Sequence, residues 1–183
     1  MGIILGVTGT LSSGKDEFSR YLRKKGFTHI SLADLLKEEL VNRNVEFSRD
    51  SLRSVGNELR ENRGLGVLAQ MALDLMNPDG DYVVTSIRNP DEIKVFRTVP
   101  NFFLVELDAP VKVRFERALL RNREEEKRSL VEFIENEEKE LSSDNPASQQ
   151  LSACMKLADH KIINDDDMNA FHAKIDALLA ALR

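Results

Sequence analysis

Gly9 and Gly14, five residues apart with Lys15 directly after the second, constrain this chain more than any other feature of its 183 residues. The apolar run Ile3-Ile4-Leu5-Gly6-Val7 precedes them, and Phe18, Tyr21 and Leu22 follow at helical spacing. A strand must therefore turn sharply into a helix here, and glycine permits the turn because it has no Cβ to clash at positive φ. In that setting Gly-x4-Gly-Lys reads as a phosphate-cradling loop. Its backbone N–H groups converge on phosphate oxygens, and the helix N-terminus adds the positive end of its dipole. Lys15 supplies a point charge for the β- and γ-phosphates. One position departs from the pattern. Asp16 stands where a serine or threonine would place a hydroxyl on Mg²⁺.

The remaining chain alternates strand and helix patterns. A helix over 16–25 ends at Gly26, and Phe27-Thr28-His29-Ile30 is a short strand. Ser31 is a candidate N-cap for a helix carrying Leu35, Leu36, Leu40 and Val41, with Asp34 completing a capping-box-like pattern. After a polar interval over 42–49, helical spacing resumes through Leu52, Val55 and Leu59, pauses at Gly64-Leu65-Gly66, and returns from Val67 to Leu75. The two glycines either allow close approach of a ligand or break the helix. Asn77-Pro78-Asp79-Gly80 is a turn. Strands follow at Tyr82–Thr85, Phe102–Leu107 and Lys161–Ile163, with helices over 91–95, 111–121, around Leu151 to Leu157, and from Met168 to Leu182. The charged segment 121–140 has no full apolar stripe but places Leu130, Phe133 and Ile134 at helical spacing. This alternation predicts an α/β fold with a parallel sheet covered on both faces, its ligands beyond the C-terminal strand ends.

Composition narrows the function classes. At 42% hydrophobic residues the chain can bury a core, and no apolar run is long enough for a membrane span. The net charge of −5 argues against a general nucleic-acid-binding surface. A single cysteine, Cys154, cannot form an internal disulfide; with no signal-peptide pattern, a reducing, cytoplasmic location is expected. His29, His160 and His172 have no spacing that suggests metal or acid–base work and read as structural or exposed. Arg114, Arg117 and Arg121 share a helical face, with Arg123 beyond, and could meet a multiply charged ligand or pair with neighbouring glutamates. Arg88, at a strand end, suits a bidentate phosphate contact. Arg53, Arg60 and Arg63 are either acceptor contacts or a charged helix face, and Asp108 either orients catalytic groups or starts a helix.

Several segments together resemble the P-loop kinases of the nucleoside monophosphate kinase-like group, most of all its dephospho-CoA kinase-like and deoxynucleotide kinase-like branch. They are the phosphate loop, His29 to Lys37, Gly56-Asn57-Glu58-Leu59-Arg60 with Gly64 to Ala69, Ser86-Ile87-Arg88-Asn89-Pro90, and Ala158 to Asp165. The resemblance covers nearly the whole chain. It implies a three-layer P-loop NTPase fold in one domain, with a five-stranded parallel sheet in the order 2-3-1-4-5. An acceptor-binding helical insertion is expected at about 34–76 and a helical lid at about 117–146.

The cofactors implied are ATP and Mg²⁺, and the partner a small-molecule nucleotide substrate. Gly9, Thr10, Leu11, Ser12, Ser13, Gly14, Lys15, Asp16, Glu17 and Asn164 would contact the nucleotide. Ser31, Asp34, Lys37, Arg60 and Arg88 would contact the acceptor, and Lys15, Arg88, Arg117 and Arg121 would neutralise the transferring phosphate.

The group usually has a hydroxyl after the loop lysine and often an aspartate at the strand position held here by Thr85. Asp16 and Thr85 thus form an exchanged pair, expected to support Mg²⁺ with Thr85 as hydrogen-bond partner of Asp16. Three functions follow as expectations. The first is phosphoryl transfer to a nucleoside or deoxynucleoside monophosphate, where the attacking oxygen is already anionic. The second is phosphorylation of a hydroxyl, as in dephospho-CoA kinase, with Asp34 as base. The third is a nucleotide-binding sensor with little turnover.

Overall fold

The strand bearing the phosphate loop lies at the middle of the sheet. In the computed structural model, which describes residues 2–120, 129–141 and 143–183, β1 (Ile4–Gly9) is buried along its whole length. It pairs in parallel with β3 (Tyr82–Thr85) on one side and β4 (Phe102–Asp108) on the other. β2 (Thr28–Ser31) and β5 (His160–Ile163) form the edges, so the order is β2-β3-β1-β4-β5, as expected.

Alternate side chains along the strands feed two cores. Ile4, Val84 and Leu104 face one layer, with α2 (Leu32–Asn42), α3 (Arg49–Arg63), α4 (Val67–Asp74), α5 (Pro90–Phe96) and α8 (Leu151–Lys156). Leu5, Val7, Val83 and Val105 face the other, against Phe18 and Leu22 of α1 (Lys15–Lys24) and Phe171, Ile175 and Leu179 of α9 (Met168–Leu182). A central parallel strand is apolar on both faces because both are covered by helices.

The structure moves several boundaries. β1 continues to Gly9 because β4 pairs with it as far as Leu107. α3 starts at Arg49, where Ser48 and Ser51 form a reciprocal capping box, and so shortens the polar interval. The capping box expected at Ser31 does not form. The Ser31 side chain makes no cap bond, its Oγ lies 3.4 Å from Ser86 Oγ, and the Asp34 carboxylate takes the Lys37 ammonium at 2.6 Å instead. α7 (Leu130–Leu141) and the last turn of α6 (Val111–Leu120) lie in the region assigned to a lid; Arg121 and Arg123 fall outside the described residues. α7 does bury one side, through Phe133, whose ring meets Phe115 edge-on at 5.6 Å. No described helix is long and apolar enough to cross a membrane.

Gly64 and Gly66 resolve into structural roles. Gly64, at φ +98, ends α3. A Cβ on Gly66 would stand 2.4 Å from Val95 Cγ2 and 3.0 Å from the Asp91 carbonyl oxygen, so this glycine lets α4 pack onto α5. Gly66→Ala is therefore expected to lower stability by about 1–3 kcal/mol through overpacking, read from urea unfolding. Ligand affinity measured on the remaining folded protein should not move.

Candidate active site

Three positive-φ residues shape the turn between β1 and α1: Gly9 at +135°, Ser12 at +58° and Gly14 at +110°. Gly9 is excluded from carrying a side chain, since a Cβ there would lie 1.9 Å from the Leu107 carbonyl oxygen. At Gly14 a Cβ would meet Asn164 Nδ2 at 2.3 Å. The loop curls around Lys15, whose Nζ donates to the carbonyls of Gly9 at 2.8 Å and Thr10 at 2.5 Å. The buried hydroxyls of Ser12 and Ser13 have no hydrogen-bond partner among the described residues. Glycines a side chain would crowd, a lysine at the helix start and two unpartnered buried donors fit a phosphate chain well.

A crevice of about 460 Å³ runs from this loop beyond the strand ends. Gly9, Leu11, Ser12, Ser13, Gly14, Lys15 and Asp16 of the loop line it. Thr85, Ser31, Asp34, Lys37, Arg88, Arg49, Arg53 and Phe47 also line it. Asp16 and Thr85, expected as neighbours of Mg²⁺, share this cavity. A carboxylate and a hydroxyl are a donor set suited to Mg²⁺, which takes one or two protein oxygens and leaves the rest to phosphate and water. Among the described residues no cluster of three or more histidine, cysteine or acidic groups could hold a metal alone.

Other expected residues stand around the crevice without lining it. Thr10 turns its hydroxyl to Asp108 Oδ1 at 2.9 Å. Glu17 pairs with Arg20 and lies 2.7 Å from His172 Nε2. Asn164 braces the loop from behind, donating to the Ser13 carbonyl at 2.9 Å. Arg117 in turn donates to the Asn164 carbonyl at 2.9 Å and to its Oδ1 at 3.3 Å. Arg60 lines the crevice, yet its guanidinium is held by buried Glu92 at 2.8 Å and by the Ala147 carbonyl at 3.2 Å. A fully buried carboxylate beside an arginine is the reason, because neither charge is solvated otherwise.

Glu92 links two walls of the site. Its Oε1 accepts from Arg60 and its Oε2 from the backbone N–H groups of Arg88 and Asn89, at 2.9 and 3.0 Å. The Arg88 side chain reaches Gln149 Oε1 at 2.8 Å. Just before it, Ser86 holds φ +66, a conformation that costs energy for a non-glycine residue and recurs at functional sites.

His29 was read from the sequence as structural or exposed. It lines the crevice, and its Nε2 lies 2.8 Å from the Thr85 hydroxyl. Desolvation holds its pKa below the usual 6.5, against the opposing pull of Asp34, so the neutral ring is favoured. Strand parity was the available signal, since His29 lies two residues from Ser31 on the same face of β2. Phe47, Arg49 and Gln149 carried no comparable local signal. Cys154 is fully buried, and burial pushes its thiol up to about 12, which makes it inert.

Residues 5–142 match the family described as "AAA domain". A UPF0200 protein of Thermoplasma acidophilum is 30% identical over 174 residues, covering 94% of this chain and 93% of its own. The chain belongs to the AAA domain family and to the UPF0200 proteins. Another UPF0200 relative, from Thermococcus gammatolerans, is 28% identical over 184 residues, covering 97% of this chain and 94% of its own.

Among solved structures, the shikimate kinase of Bacteroides thetaiotaomicron superposes with a TM-score of 0.63 at 13% identity, over 98% of both chains. The Mycobacterium tuberculosis APS kinase, in complex with AMPPNP and APS, does so at 0.54 and 20% identity, again over 98% of both. These likenesses show the P-loop kinase-like fold.

Two outcomes test the geometry. Gly14→Ala should weaken ADP binding at least about tenfold by calorimetry, since the new Cβ displaces Asn164 from the loop. Glu92→Ala leaves the Arg60 guanidinium buried without its carboxylate and should cost about 3–5 kcal/mol in urea unfolding.

Proposed function

We propose that this UPF0200 protein is an ATP- and Mg²⁺-dependent phosphotransferase acting on a small phosphorylated acceptor, most simply a nucleoside or deoxynucleoside monophosphate. One observation carries the reading. A single crevice is lined both by the phosphate loop and by the cationic side chains Lys37, Arg49, Arg53 and Arg88. Phosphoryl transfer asks little covalent chemistry of a protein beyond positioning two phosphates in line and neutralising their charge.

In this reading the loop N–H groups and Lys15 hold the β- and γ-phosphates, and Arg88 orients the acceptor phosphate. Arg117 and Arg121 are the further arginines proposed to neutralise the migrating group. Asp16 and Thr85 would hold Mg²⁺, directly or through water, and the ion would offset the charge that develops between the β- and γ-oxygens. His29 would orient the Thr85 hydroxyl. No base is needed when the attacking oxygen is a phosphate anion. A second reading, transfer to a hydroxyl, is favoured by Asp34 and neutral His29, two proton acceptors within the crevice.

The deciding experiment is an ATP-coupled product assay over nucleoside monophosphates, deoxynucleoside monophosphates and dephospho-CoA, with and without EDTA. A monophosphate product that disappears with EDTA supports the first reading, and product from dephospho-CoA alone supports the second. Nucleotide binding without product on any acceptor would sink both in favour of a sensor. Asp16→Ala is expected to cost about 10–100-fold in kcat/KM. The double change Asp16→Ser with Thr85→Asp should recover more activity than either single change; full activity in Asp16→Ala would refute the metal role.

A further inference from the structure

A buried charge pair from two other helices grips the phosphate loop at one residue. Glu137 of α7 and Arg114 of α6 are 8% and 6% exposed, and they meet in a two-pronged ion pair, Arg114 Nη1 with Glu137 Oε1 and Nη2 with Oε2, the latter at 3.0 Å. Both also reach Leu11. Glu137 Oε1 accepts the Leu11 N–H at 3.2 Å, and Arg114 Nη1 donates to the Leu11 carbonyl at 3.2 Å. The guanidinium is fixed further by the Ala109 carbonyl, 2.7 Å from Nε, and lies over the Phe133 ring at 5.9 Å.

These contacts set the orientation of two successive peptide planes. In a trans peptide the carbonyl and the N–H point to opposite sides. Holding the Leu11 N–H toward Glu137 therefore turns the Thr10 carbonyl the other way, and that carbonyl is one of the two that accept from Lys15 Nζ. Holding the Leu11 carbonyl toward Arg114 turns the Ser12 N–H away from α6, within a residue that lines the crevice. The far half of the loop has its own brace, Asn164 on the Ser13 carbonyl, which turns the Gly14 N–H in the same manner.

We propose that Arg114 and Glu137 are positioning residues for the nucleotide phosphates, acting through the Leu11 peptides. A phosphate loop binds anions only while its N–H groups, not its carbonyls, face the ligand. If stability were the pair's sole role, well-packed apolar side chains would serve as well or better. This proposal rests on the phosphate-loop reading given above, and on nothing about the acceptor.

The test compares ADP binding by calorimetry, without acceptor, in the wild type, in the double variant Arg114→Met with Glu137→Met, and in the exchanged variant Arg114→Glu with Glu137→Arg. The double variant leaves no buried charge unpaired and should unfold close to the wild-type temperature, while its ADP affinity falls at least tenfold. The exchanged variant restores an ion pair but places arginine where the Leu11 N–H needs an acceptor, so it should not recover ADP binding. Glu137→Gln keeps an acceptor for that N–H and should fall between, and it decides the matter if the double variant does not fold. A folded double variant that binds ADP like the wild type overturns the proposal, as does full recovery in the exchanged variant. Wild-type protein that binds no ADP overturns the phosphate-loop reading together with this one. Wild-type protein that binds ADP and phosphorylates no acceptor overturns only the kinase reading.

Discussion

The Leu107 carbonyl and the Gly9 Cα approach so closely that no side chain fits between them. This contact closes the C-terminal end of the β1–β4 ladder, and the phosphate loop begins at the residue that makes it. Strand pairing thus delivers the loop to its place with no slack, and the positive φ values at Gly9, Ser12 and Gly14 then fold it back over the start of α1. Such a turn is held in sparsely populated backbone regions, and it persists because its surroundings over-determine it. Asp108 takes Thr10, Arg114 and Glu137 take Leu11, and Asn164 takes Ser13. The end of β4, helices α6 and α7, and the segment after β5 all contribute to a site whose sequence signature lies within eight residues, Gly9 to Asp16.

The opposite wall of the crevice is organised differently. Glu92 is fully buried, and its two oxygens join α3, through Arg60, to the turn that carries Arg88. Asn89 ties the same turn to the Pro146 carbonyl and Arg88 to Gln149, so the chain returning from α7 is built into this wall. Arg60 shows how a residue can line a site and still be occupied elsewhere. Its charge needs a buried partner once α3 packs against the sheet, and Glu92 supplies it.

Much of this was legible in the sequence for local reasons. The apolar run before Gly9, the glycine spacing and Lys15 announce a strand, a tight turn and a helix start within a short window. Gly26, Gly64, Pro90 and Pro110 mark element ends by backbone rules that need no tertiary context. Ser31 misled, because its hydroxyl had a tertiary neighbour in Ser86, and Asp34 found Lys37 one helical turn away. The His29 contact could not be read in advance, because the sequence shows its parity on β2 but not that Thr85 stands opposite.

What the sequence determined by itself is therefore the glycine-lysine loop, the alternation of strands and helices, and the side of the sheet where the crevice opens. Its resemblance to known kinases supplied the strand order, which the pairing register then showed directly. Only the tertiary structure decided which charges face the crevice and which face each other. Leu11 meets Glu137 from 126 residues away, and Arg60 meets Glu92 from 32. Backbone preferences act over a few neighbouring residues and can be read in one window. The partner of a buried charge is chosen by packing across the whole chain, where one desolvated group requires another.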